Sequence, residues 1–156
     1  MTLTQSAALR ALQRTVFLAG IAGVAFADTI PAHFEPAPIA RPAAHAFGTG
    51  PQASAGQLYK VTLQPAQPLA KRRPLTVPLL VVDANGRPVE GAKISVDGGM
   101  PEHLHGLPTR PLVRRELGGG VYEIEGLRFS MGGWWEISLA IESPAGSDHV
   151  TFNLEL

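Results

Sequence analysis

From Leu58 to Leu156 apolar and polar residues alternate along the chain with a period of two. In "LYKVTLQ", Tyr59, Val61 and Leu63 fall on one side and Leu58, Lys60 and Thr62 on the other. In "WWEISLAIES", Trp135, Ile137, Leu139 and Ile141 face in, and Glu136, Ser138 and Glu142 face out. "HVTFNLEL" repeats the pattern, with Val150, Phe152, Leu154 and Leu156 inward. Successive strand side chains point to opposite faces, so each stretch predicts a strand with one buried face. "LTVPLLVVD" is apolar on both faces and predicts a central or tightly covered strand. Pro78 within it cannot donate to a ladder, which predicts a bulge or a free edge there.

Between these runs lie turn signals. Asp83-Ala84-Asn85-Gly86 reads as a hairpin turn, because Asn-Gly accepts positive φ at low cost. "AKISVDGG" then returns with Ile94 and Val96 on one face. "PLVRREL" makes a short strand, and "GGGVYEIEG" buries Tyr122 and Ile124 after a flexible turn. Gly120 and Tyr122 fit either a tyrosine corner or a core tyrosine following a turn. About seven short strands with turns every 8–12 residues predict an all-β fold, an antiparallel immunoglobulin-like β-sandwich over residues 57–156.

The preceding residues carry no such period. Arg10 and Arg14 lead into an apolar run, Val16 to Phe26, and Ala25-Phe26-Ala27 offers a small-residue cleavage site. Residues 1–27 thus read as a signal peptide. The run is 11 residues long, against about 20 for a membrane span. Membrane contact is expected only if the leader stays uncleaved. Residues 28–56 are dominated by Pro, Ala and Gly and predict a flexible or polyproline-like linker, with His33 and His45 solvated in it.

Charge and cysteine content narrow the function. The chain from Asp28 carries 11 basic and 13 acidic residues, so nothing calls for nucleic acid or an anionic membrane surface, since both need a basic excess. The run Lys71-Arg72-Arg73 reads as a solvated strand edge. There are no cysteines, which excludes thiolate metal sites and disulfides. The expected location is the periplasm or the exterior. No nucleophile–base pair, paired carboxylate motif or phosphate loop is present. Ser147-Asp148-His149 are adjacent on one strand and cannot converge as a triad. The chain is not expected to be an enzyme.

The chemistry concentrates in "GGMPEHLHGLPT". Met100, His103 and His105 bring one thioether and two imidazoles within six positions. In an extended segment His-x-His points both rings to one side. A thioether favours Cu(I), and imidazole serves Cu(I), Cu(II) or zinc, so the mixture points to copper, with Cu(I) ahead of Cu(II). Met131, in the Gly-rich turn "FSMGGWW", is the expected fourth donor, because sandwich loops cluster at the two ends. Glu102 is expected in solvent, and His149 in outward phase. The competing reading is of solvated histidines and a gap-filling methionine.

"GGMPEHLHGLPTRPLV" followed by "GGGVYEIEGLRFSMGGWWEISLAI" resembles the YtkA-like/FixH-like family of secreted or membrane-anchored bacterial domains. The resemblance spans Leu58 to Leu156. It implies an immunoglobulin-like sandwich, copper handling and a place beside haem–copper oxidase assembly. The chain lacks the lipid-attachment cysteine of lipoprotein members and the long membrane helix of FixH-type members. A periplasmic copper-binding or copper-transfer accessory protein is therefore expected, with a copper donor or acceptor or an envelope protein as partner. The alternative is a non-metal β-sandwich interaction module of the envelope.

Export should leave Asp28 as the first residue. Intact mass of the exported protein checks this, and full-length chain retained on membranes would contradict it.

Overall fold

The computed structural model describes residues 38–156. The leader and His33 lie outside them. Nine strands follow in chain order: β1 (Gln52–Ala53), β2 (Tyr59–Leu63), β3 (Leu75–Asp83), β4 (Lys93–Met100), β5 (His105–Gly106), β6 (Leu112–Gly118), β7 (Val121–Leu127), β8 (Trp134–Ser143) and β9 (Gly146–Glu155). They form two antiparallel sheets, ordered β1-β2-β3-β7-β6 and β5-β4-β8-β9. The expected β-sandwich is therefore observed, with two short strands, β1 and β5, that alternation was too brief to reveal.

The alternating positions build the core. Val61, Leu79 and Ile124 of one sheet, and Trp135, Ile137, Leu139 and Phe152 of the other, are fully buried. β3 is central, as its two-sided apolar pattern predicts. Pro78 pairs with Glu123 without a register shift; the shift lies instead between Leu75 and Thr76. The Pro78 carbonyl accepts the Gln64 N–H at 2.7 Å, so its ring nitrogen faces β2 as well. No N–H is returned, and β2 stops at Leu63.

The Asp83 turn does not fold β4 back onto β3. Gly86 takes φ 80°, and Asn85 keeps negative φ. The Asp83 carboxylate accepts the N–H groups of Asn85 and Arg87 at 2.8 and 2.9 Å. The Arg87 backbone N–H, above all, holds this carboxyl below its usual range. Val89 then donates to the Val81 carbonyl, and the chain crosses to the other sheet. Tyr122 fixes the crossing: its hydroxyl donates to the Val89 carbonyl and accepts the Ala92 N–H, both at 2.9 Å. Burial raises its pKa. Its partners lie about 30 residues upstream, so this is a clamp between sheets and not a tyrosine corner, which bonds a few residues back. Tyr59 makes a second clamp, from β2 to the Ser143 hydroxyl at 2.8 Å and the Gly146 carbonyl at 2.5 Å.

The Pro/Ala/Gly-rich segment expected to be flexible over 28–56 is structured over its described part. Phe47 bridges Asn153 of β9, β1 pairs with β2, and the Ala55 N–H returns to the His149 carbonyl at 2.8 Å. The segment thus runs between the exposed edges of β9 and β2 and supplies their missing partners. It does so with backbone groups, which explains the absence of any side-chain period. Asp148 locks its end, accepting the N–H groups of Gly56 and Leu58 at 3.0 and 3.2 Å. The Ser54 hydroxyl, then the Gly56 N–H, hold this carboxyl far below the usual range.

The segment also covers an outward tryptophan. The strand phase is as predicted, with Trp135 in the core. Trp134 faces the other way yet is only 1% exposed. The Phe47 ring meets it edge-on at 6.4 Å, and its indole N–H donates to the Asn153 side chain at 2.9 Å.

Trp135→Ala should cost about 3–5 kcal/mol, the range for emptying a buried aromatic site. Phe47→Ala, at a half-buried ring, should cost about 1–2 kcal/mol and shift tryptophan emission to the red. Urea titration followed by fluorescence reads both. A depressed carboxyl stabilises the fold above its unfolded pKa, and that stability is lost as pH falls through the folded value. The urea midpoint should therefore fall between about pH 4 and pH 2, and less steeply in Asp148→Asn.

Candidate metal centre

The β2–β3, β4–β6 and β7–β8 connections all emerge at one end of the sandwich, as the pairing registers require. This end carries all four candidate donors. Met100 closes β4 in phase with Ile94 and Val96 and is 1% exposed within the core. Its methyl group would lie 2.9 Å from a Cβ added at Gly133, so the β7–β8 loop packs directly over it.

His103 and His105 do not share a strand. Pro101–His103 form one turn of 3-10 helix, Leu104 adopts the left-handed conformation at φ 53° and ψ 36°, and His105 opens β5. The rings still meet, stacked with centroids 5.9 Å apart and planes 21° apart. The expected juxtaposition is present, but a left-handed residue creates it rather than strand alternation. His105 Nδ1 lies 3.1 Å from the Gly106 carbonyl. A carbonyl only accepts, so Nδ1 donates in this contact, and in the neutral ring Nε2 is the nitrogen left for a ligand.

Trp135 joins these pieces. The His105 ring meets its indole edge-on at 5.7 Å, and Phe129 packs against it at 5.2 Å. Its N–H donates to the Met131 carbonyl at 3.1 Å. Met131 is thus tied to the centre by its backbone, while its side chain stands 40% exposed. An open depression is lined by Met100, Pro101, Leu104, His105 and Glu136. His103 and Met131 are not among its lining residues.

Among the described residues, no three His, Asp or Glu side chains converge in a way that could hold a metal ion. A centre here depends on thioether sulfur. A buried thioether and an imidazole bordering one depression are a donor set that fits Cu(I). Glu102 is exposed as expected and pairs with Arg41 at 3.3 Å. His45 and His149 are exposed, and neither lines this depression.

Sequence reading missed three contributors. Trp135 was legible as core but not as the support for His105. Glu136 was legible as outward, but its place beside β4 needs the sheet order. The paired glycines were read only as the end of a strand. A Cβ on Gly98 would lie 2.3 Å from the Glu136 carbonyl oxygen, and one on Gly99 would lie 2.5 Å from that of His105. Glycine is what lets β8 and β5 come so close to β4.

A family model described as YtkA-like matches residues 54–140. Among solved structures, the ZirS C-terminal domain is similar with a TM-score of 0.41 and 14% identity, over 100% of this chain and 87% of that one. No curated protein matches the chain.

Gly99→Ala should push β5 off β4, because the obstructing atoms are backbone and cannot rotate away. The His105 ring signals in NMR should shift while those of Ile141, at the far end of β8, stay in place. Unchanged His105 signals would show that the close approach is not required.

Proposed function

The chain belongs to the YtkA-like family, and we propose that it is a copper-binding or copper-transfer accessory protein of the cell envelope, with Cu(I) as the preferred ion. The observation that supports this most is that Met100 and His105 border one open depression, with His103 stacked on His105. When bound, the ion would supply a soft, exchangeable centre. Met100 would hold it from the core side, and His105, exposed but packed edge-on against Trp135, from the rim. His103 and Met131, both exposed, would complete a three- or four-donor set from the solvent side. Export to the periplasm or exterior is part of the same proposal, as is a non-catalytic role. The partner is then a copper donor or acceptor.

A second reading, an interaction module without metal, draws on Leu104. This leucine is 83% exposed and held at positive φ between the two histidines. Such a residue gains nothing from its position within the fold itself, whereas a partner could bury it.

Met100→Leu keeps core volume, costing less than about 1.5 kcal/mol, and should weaken Cu(I) far more than Cu(II). His103→Ala and His105→Ala should weaken both ions. Acidification from about pH 7 to about 5 should release metal, since imidazole binds only when neutral. Competition with a chromogenic Cu(I) chelator, under anaerobic conditions, reads all of these. Absence of Cu(I) binding in the wild-type chain favours the interaction module, and unchanged binding in the Met100/His103/His105 triple variant moves the metal elsewhere.

A further inference from the structure

Residues 38–156 carry equal numbers of acidic and basic side chains, but the topology separates them. The Met/His end bears Lys71, Arg72 and Arg73 on the β2–β3 connection, Arg110 before β6 and Arg128 after β7. All five are exposed. Among the described residues, none has a carboxylate partner, whereas the mid-strand Arg114 and Arg115 pair with Glu125 and Glu123. The acids at this end are Glu102 and Glu155, both bound by Arg41, and Glu136 and Asp97 in the lining of the depression. The opposite end is the reverse, with Asp83, Glu90, Glu116, Glu142 and Asp148 around its turns against Lys60, Arg87 and Lys93.

The basic run is also held in place. Arg72 sits at φ 65°, and its N–H donates to the Phe129 carbonyl at 2.7 Å. The Lys71 ammonium lies 3.4 Å from where a Cβ on Gly132 would stand. The run expected to be a solvated strand edge is thus a loop fastened beside the Met131 turn. Single apolar side chains project from separate segments at this same end. Leu104 is 83% exposed and Met131 40%.

From these observations we propose that the Met/His end docks on an anionic phospholipid surface. Unpaired cations around a protein end are attracted to anionic headgroups. Isolated apolar side chains between them can enter the boundary between headgroups and acyl chains. The described apolar projections stand on different segments, and a fluid bilayer can take them up singly, whereas a folded protein would need a matching pocket for each. The docking needs neither bound metal nor a retained leader.

The test uses the exported chain, its N-terminus fixed by intact mass, without added metal. Co-sedimentation is measured with vesicles of phosphatidylcholine alone and with vesicles containing phosphatidylglycerol. Binding should require the anionic lipid and fall at least tenfold when the salt is raised from about 0.1 M to about 1 M, where the screening length shrinks from about 10 to about 3 Å. Arg72→Glu/Arg73→Glu should weaken it at least about thirtyfold. Lys60→Glu/Lys93→Glu, at the opposite end, should change it less than twofold, and Leu104→Ser should reduce it severalfold. Equal binding to both vesicle types, or insensitivity to the loop reversal, overturns the proposal. Retention on immobilised polyglutamate without vesicle binding overturns it in favour of an acidic protein partner. Copper affinity is measured separately, so failure of either reading leaves the other standing.

Discussion

Trp135 makes the contact on which both halves of this molecule depend. Its indole is fully buried between the sheets. One side meets Phe129, the last buried side chain before the Met131 turn, and another meets the His105 ring. Its single N–H holds the Met131 carbonyl. A buried indole N–H needs a partner, and here that partner lies on a loop carrying a candidate donor. Core packing and site geometry are therefore one constraint, and neither the β7–β8 loop nor β5 can move without disturbing the other.

The opposite end is closed by hydrogen bonds rather than aromatic packing. Tyr59 ties β2 to the β8–β9 turn, Tyr122 ties β7 to the crossing before β4, and Asp148 gathers the loop before β2. Each joins parts distant in sequence. Among the described residues, no buried side-chain nitrogen or oxygen lacks a partner. The two ends consequently have different chemistry. One is tied together by tyrosine and aspartate hydrogen bonds, while the other carries two exposed imidazoles and an exposed thioether.

The core was legible from alternation because each strand buries one face against the facing sheet. Tyr59, Val61, Ile137, Leu139, Val150 and Phe152 are all buried as their phase predicts. Features that depend on partners distant in sequence were not legible. The segment from Phe47 to Ala55 pairs through its backbone, and composition does not report backbone pairing. Trp134 is outward in phase, yet it is buried by a ring far earlier in the chain. The His103–His105 contact was anticipated for an incorrect reason, because nothing in "HLH" announces a leucine at positive φ. The glycine pair was invisible as a constraint until β4 was known to lie between β5 and β8.

Met100 shows how the candidate site can be firm and open together. As the last inward residue of β4 it packs in the core with Trp135, so its position is set by the same packing that orders the sheets. It also lines the depression together with His105. The candidate donors Met100, in the core, and His105, exposed but packed on Trp135, are thus held in place, and a metal would not have to order them at its own entropic cost. The outer donors, His103 and Met131, stand in solvent on separate loops. A centre built this way would keep its inner ligands fixed while its outer ligands exchange one at a time. That division suits the transfer of an ion to an incoming ligand better than permanent retention, for which all four donors would be enclosed.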